Sequence, residues 1–320
     1  MSKIGLGTAA IGRPLYINIK DAKQSVPFDL IKFIKAGEEL LDFAYAKGIR
    51  ILDTAPGYGL AEDLVIQWLK KSKSTDVAVS SKWGYTYVAN FLATALEHEV
   101  KEHSLAKLNE QWEVTKGLLP SINLYQIHSA TLDTKVLQNV EVLNRLHELK
   151  KTYNIKIGLT TTGANQLEVM RLAMDVEVEH EPLFDSFQVT YNIFDQSIAE
   201  LVRASSDSYP EDRKIIVKEA LANGRIFPDL EKYQHYSAHY ALLTDLAHKY
   251  KVGVDAVALR FCMDSIPAEI VLSGASNKQQ LSENLQAYDF KLTADEMARI
   301  KYLKVAPESY WQERKALEWN

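Results

Sequence analysis

The feature that most narrows what this chain can fold into is a set of eight short apolar runs, rich in Ile and Val, alternating with longer stretches of helical spacing. The runs are KIGLGT (3–8), IRILDT (49–54), VAVSSK (77–82), NLYQIH (123–128), IKIGLT (155–160), SFQVTY (186–191), KIIVKE (214–219) and EIVLSG (269–274). Such runs read as strands buried on both faces, the signature of a parallel sheet with helical crossovers. Amphipathic stretches at 36–48 and 140–153 are each long enough to cover a strand pair. Eight strand and helix units close on themselves. The expectation is therefore an α/β fold, a (β/α)8 TIM barrel, with residues 1–320 forming a single domain with extended loops and a C-terminal tail. The residues beyond a minimal barrel fall at 10–28, at 223–237 and after 291.

An open doubly wound sheet is the competing architecture, because GLGTAAIG at 5–12 resembles a dinucleotide fingerprint. Its spacing is GxGxxxxG rather than GxGxxG, and Arg13 and Pro14 follow where a helix should open. A glycine-rich strand end is the better reading. With 47% hydrophobic residues the chain can bury a large core without a partner. A net charge of -5 leaves no basic stripe, so nucleic acid is not an expected partner. Cys262 is the single cysteine and sits at core spacing in ALRFCMD, which implies a reducing, cytoplasmic setting. No apolar run approaches the roughly 18 residues of a membrane span, and the N-terminal run is too short and Gly-broken for a signal peptide.

In a barrel of this kind, chemistry is carried by the carboxyl ends of strands and the loops beyond them. Asp53 ends the second run, Lys82 the third and His128 the fourth, and Tyr58 lies in the turn after the second. Residues two apart on a strand share a face, so if Ile49 and Ile51 point into the barrel, Asp53 does too. A carboxylate holds a partly desolvated ammonium charged. That ammonium is expected to draw the phenol pKa of Tyr58 down from about 10 toward working pH. An imidazole can donate a hydrogen bond to an oxygen on which charge grows. Together these groups suit the reduction of a carbonyl. The bland alternatives are a satisfied Asp–Lys ion pair and a structural histidine.

The four residues stand in a DTA..YG..E run and at the ends of the next two strands, and in this the sequence resembles the aldo-keto reductases over nearly its full length. The resemblance implies an NAD(P)-dependent oxidoreductase acting on a carbonyl or alcohol, with Asp53, Tyr58, Lys82 and His128 as the catalytic set and Tyr58 moving the proton. NADPH or NADH would be bound in extended form. Gly274, Ala275, Ser276, Gln280 and Asn284 would hold its adenosine half, with Ser276 and Gln279 read as a capping box. Thr8, Thr160, Thr161, Gln188, Lys218, Leu221 and Gly224 complete the cofactor residues that the resemblance implies. Four positions depart from the family pattern. Gln280 stands where many NADPH-preferring members have arginine, Thr160 and Thr161 replace a Ser-Asn pair, and Lys218 replaces a stacking tyrosine or an arginine.

Trp83, Tyr85 and Trp311 fall where the substrate loops of that family lie, in WGYTYVANF and in the tail that also holds Trp319. Aromatic walls take sugars and hydrophobic carbonyls alike, so the expected substrate is a small carbonyl or sugar. His235 and His239 have the i,i+4 spacing of metal ligands but no third ligand, so no metal is expected. No GxSxG occurs, which removes serine hydrolysis. The alternatives within the resemblance are a sugar dehydrogenase running oxidatively and a slow nucleotide-sensing subunit. Oligomeric state is not legible.

Overall fold

The computed structural model describes residues 2–14, 28–92, 94–204 and 213–318. Eight parallel strands form a closed barrel in chain order: β1 (Lys3–Gly7), β2 (Ile51–Asp53), β3 (Ala78–Trp83), β4 (Ile122–Ala130), β5 (Lys156–Thr161), β6 (Ser186–Thr190), β7 (Lys214–Lys218) and β8 (Ile270–Ser273). β8 pairs back onto β1 through Lys3 and Ile270, which closes the ring. All eight expected strands are present, with ends that differ by two residues or fewer.

Around them lie α1 (Leu30–Ala46), α2 (Ala61–Ser72), α3 (Leu105–Thr115), α4 (Val140–Tyr153), α5 (Gln166–Met174), α6 (Ala199–Ala204), α7 (Ser237–Tyr250), α8 (Val254–Ser265) and α9 (Lys278–Leu285). The stretch expected at 140–153 is α4, opened by Asn139, whose side chain accepts from the Val142 N–H. The stretch expected from residue 36 starts earlier, at Leu30, because Asp29 caps it through the Lys32 N–H. The expected tail after 291 is helical over much of its length, as α10 (Ala294–Tyr302) and α11 (Pro307–Lys315). α10 carries the capping box Thr293 with Glu296, a start signal that reading the segment as a tail passed over.

The main core lies between strands and helices, where Leu6, Val65, Val79, Ile127, Leu159, Val189 and Val217 are fully buried. A separate apolar floor fills the barrel itself, made of Leu124, Ile216 and Leu272 with Ile270 against them. Ile51 reaches that floor, lying 3.3 Å from where a Cβ on Gly5 would stand. Asp53, two residues on, therefore faces inward one layer higher. Above the floor the interior turns polar, with Gln126, Ser80, Asp53, Lys82 and Gln188 all buried.

Candidate active site

The turn after β2 follows from its residues. Pro56 opens a single 3-10 turn to Tyr58, and Gly59 takes φ +66°, a left-handed conformation that glycine adopts without cost. A side chain on Gly57 would lie 2.7 Å from Tyr85 Cβ, so only glycine lets the turn press against the loop after β3. That loop is a two-stranded hairpin, Tyr85–Tyr87 paired with Glu99–Lys101. Tyr58 is thereby held above the barrel mouth.

The expected set is brought together. Lys82 donates to Asp53 Oδ2 and to the Thr54 carbonyl at 3.0 Å. The second carboxylate oxygen of Asp53 accepts from Ser80 Oγ and from Gln188 Nε2 at 2.8 Å, so the buried pair is hydrogen-bonded all round. Lys82 Nζ lies 4.7 Å from the Tyr58 ring centroid, and the Tyr58 and His128 rings meet edge to face at 5.4 Å. His128 Nδ1 is buried with no hydrogen-bond partner among the described residues. Tyr85 packs on the far side of His128 at 4.7 Å.

The electrostatics correct one expectation. The phenol of Tyr58 is not drawn down: burial pushes its pKa well above the ordinary value, and the Asp53 carboxylate pushes it further. The Asp53 carboxylate balances the charge of Lys82, and Arg13 is the cation that opposes the rise. Tyr58 is accordingly held as the neutral phenol. Burial, helped by Lys82 and Arg13, drives the His128 pKa well below its ordinary value, so the imidazole is neutral. Burial also lowers His103 to about 4, and its Nε2–H donates to the His128 carbonyl at 2.9 Å.

Arg13 and His103 carried no sequence signal of their own. Arg13 lies 5.4 Å from the Tyr58 ring, donates to the Gly57 carbonyl at 3.0 Å and pairs with Glu99 at 2.7 Å. Glu62, the last letter of the motif, accepts from Ser81 Oγ and from Thr115 Oγ1 at 3.2 Å. Burial raises its pKa to about 7.

The remaining expected residues divide by place. Thr8 is fully buried and its hydroxyl donates to the Asp53 carbonyl at 3.0 Å, tying β1 to β2. Thr160 Oγ1 accepts from the Ser129 N–H at 2.7 Å, and the Thr161 hydroxyl donates to Gln166 Oε1 at 3.2 Å. Gln188 donates from Nε2 to Asp53 at 2.8 Å. Leu221 precedes a turn in which Gly224 takes φ +87°. Trp83 exposes none of its surface and packs on His103, so it buttresses the mouth rather than walling it. Trp311 is nearly buried on α11, where its indole N–H donates to Asp195 at 2.9 Å. Trp319 and most of the stretch 10–28 lie outside the described residues. His235 and His239 do not converge on a metal; they contact Glu313 at 2.7 Å and the Leu303 carbonyl at 2.5 Å.

The segment after β8 could hold a phosphate. Gly274 is exposed, and a Cβ there would meet nothing within 4 Å. Gln280 Oε1 accepts from the Ser276 N–H at 2.9 Å and from its hydroxyl at 3.0 Å, one oxygen on two donors as a phosphate oxygen would sit. Ala275 and Asn284 are buried behind, both bonded to Ser273 Oγ. The expected capping box of Ser276 with Gln279 does not form. Asn277 caps α9 instead, accepting from the Gln280 N–H at 2.9 Å, because the chain becomes helical only at Lys278. Lys278, the nearby cation, is paired with Glu39 at 2.8 Å.

A family model described as "Aldo/keto reductase family" matches residues 3–304. An aldo-keto reductase of Bacillus subtilis, YhdN, is 24% identical, with 93% of this chain and 88% of that protein covered. An NADH-specific methylglyoxal reductase of Escherichia coli is 25% identical, with 96% of each chain covered. Among solved structures, the holo form of the Bacillus halodurans aldo-keto reductase AKR11C1 superposes with a TM-score of 0.69 at 22% identity, covering 95% of this chain and 92% of that one. A glycerol dehydrogenase of Gluconobacter oxydans gives 0.69 at 23%, covering 94% and 90%. At those identities the two structures speak for the fold alone.

Proposed function

The chain belongs to the aldo/keto reductase family of NAD(P)-dependent oxidoreductases, and from that premise we propose that it reduces a small aldehyde, ketone or sugar carbonyl, with Tyr58 as proton donor. The observation that carries this reading is a phenol kept protonated by burial, beside the ammonium of Lys82 and a neutral His128. The bound cofactor, NADPH or NADH, would supply the hydride. It would be held by Gly274, Ala275, Ser276, Gln280 and Asn284 at the adenosine end. Thr8, Thr160, Thr161, Gln188, Lys218, Leu221 and Gly224 would serve the rest.

The substrate oxygen would lie between the Tyr58 hydroxyl and the His128 ring. As negative charge grows on that oxygen, Tyr58 passes its proton and the imidazole N–H steadies the charge. Arg13, the cation that opposes the rise in the Tyr58 pKa, would offset the negative charge left on the phenolate, with Lys82, fixed by Asp53, beside the ring. Tyr85, against His128, would line the substrate side, with Trp311 closing the opposite side of the mouth. Residues 1–320 acting as one unit belong to this reading, as does a cytoplasmic setting, which the buried Cys262 suits. No helix among the described residues is long and apolar enough to cross a membrane.

The test is a panel of aldehydes, ketones and aldoses offered with NADH and NADPH, and the matching alcohols with NAD+ and NADP+, followed at the reduced-nicotinamide absorbance. Consumption of reduced cofactor by a carbonyl supports the reading. Turnover confined to oxidised cofactor with sugars would make the protein a dehydrogenase, and tight binding without turnover would make it a sensor.

A further inference from the structure

Resting on the reading of the mouth as a nicotinamide site, we propose that Lys218 discriminates between cofactor redox states, making the protein bind NAD(P)H more tightly than NAD(P)+. In a ring of eight strands, β7 stands four places from β3 in either direction, so Lys218 at the end of β7 faces Lys82 across the mouth. A flat ring presented to Tyr58 and His128 on one face turns its other face toward β6 and β7. Lys218 is the cation on that side without a carboxylate of its own, since Glu219 is bonded to Arg314.

Its surroundings are unusual for a buried ammonium. Nζ donates to the hydroxyl of Thr190, its register partner on β6, at 2.8 Å. The carboxylate of Glu219 stands 4.0 Å away, and that carboxylate is already committed to Arg314 at 2.8 Å and to the Tyr310 hydroxyl at 3.4 Å. The indole of Trp311 lies 5.9 Å from Nζ. Asp195, the other carboxylate nearby, accepts from Trp311, Gln166 and Ser197. An 82% buried lysine with a neutral hydroxyl as its close partner is a poor device for stability, because desolvation is not offset by a dedicated counter-ion. It is a good device for sensing charge. Removing hydride from the reduced ring leaves a ring with one positive charge, which Lys218 opposes, whereas the neutral reduced ring meets no such cost.

The experiment is equilibrium titration of NADH, NAD+, NADPH and NADP+ by quenching of tryptophan emission, in the wild type and in Lys218→Met, Lys218→Gln and Lys218→Arg. The wild type should favour the reduced form by about tenfold or more, a ratio of the size one unpaired charge confers at this range. Lys218→Met and Lys218→Gln should bring the ratio to within about threefold of unity, while Lys218→Arg retains it. If Lys218→Met does not fold, Lys218→Gln, which keeps a donor for Thr190, carries the test. A wild-type ratio near one, or an unchanged ratio in the neutral variants, overturns the proposal. Binding of neither redox state would instead remove the nicotinamide reading itself.

Discussion

The two sides of the barrel mouth solve the same problem, a buried cation, in opposite ways. On the β2–β4 side, Lys82 has a dedicated carboxylate whose remaining lone pairs are filled by Ser80 and Gln188. On the β6–β7 side, Lys218 has a hydroxyl, and the adjacent Glu219 serves α11 through Arg314. Burial alone would raise the Glu219 carboxyl, but Arg314 and Lys218 hold it at about 2. The ion pair of the first side is built locally, from residues 53 and 82 on adjoining strands, with Gln188 reaching in from β6. The second needs a helix nearly 100 residues further along, with Glu219 and Arg314 separated by 95 positions. A closed local pair fixes one charge, whereas the shared carboxylate leaves the other cation without a dedicated counter-ion.

The comparison breaks most visibly at Lys82. Lys82→Met leaves Asp53 charged and buried, and should lower the unfolding free energy by about 3–5 kcal/mol in urea melts while removing turnover. The double variant Asp53→Asn, Lys82→Met should recover most of the stability and none of the activity. On the other side, Glu219→Gln should cost about 2 kcal/mol, because Arg314 loses its ionic partner and α11 loosens. Limited proteolysis after Lys315 would be the readout, with cleavage faster in the variant.

A smaller effect separates Glu62 from both sides. Its folded pKa of about 7 lies above that of an unfolded carboxyl, so between pH 4.5 and 7 the native state holds a proton that the unfolded state has lost. Stability attributable to Glu62 therefore falls as pH rises through that window and does not fall further above it. Glu62→Gln should flatten that part of the pH–stability curve. The smallest effect is expected at His235, which is 55% exposed and faces Glu313: His235→Ala should shift stability by less than about 1 kcal/mol, and zinc should not raise Tm in either protein.

Much of this was legible because parallel strands announce themselves. Runs such as KIIVK and SFQVT are buried on both faces, and a strand-end Asp or Lys stands out against them. Placing Asp53, Tyr58, Lys82 and His128 together needed only the barrel closure and the two-residue strand period. The direction of the Tyr58 shift was not legible, because it depends on how deeply the ring is buried and on the nearby Asp53 carboxylate adding to the rise. Arg13 and His103 were missed for a related reason: each acts through a carbonyl, Gly57 for one and His128 for the other, and backbone acceptors leave no mark in sequence. The partner of Trp311 was not legible either, because Asp195, which accepts its indole N–H, sits 116 residues away.

The measurement closest to the central claim is single-turnover oxidation of bound NADH or NADPH by an accepted carbonyl in wild type and Tyr58→Phe, with cofactor affinity taken on the same samples. Loss of the phenolic proton should slow that step by about a thousandfold and leave the affinity within about twofold. A Phe variant that reduces the carbonyl at the wild-type rate would show that the proton comes from elsewhere, and the account of this site would be wrong.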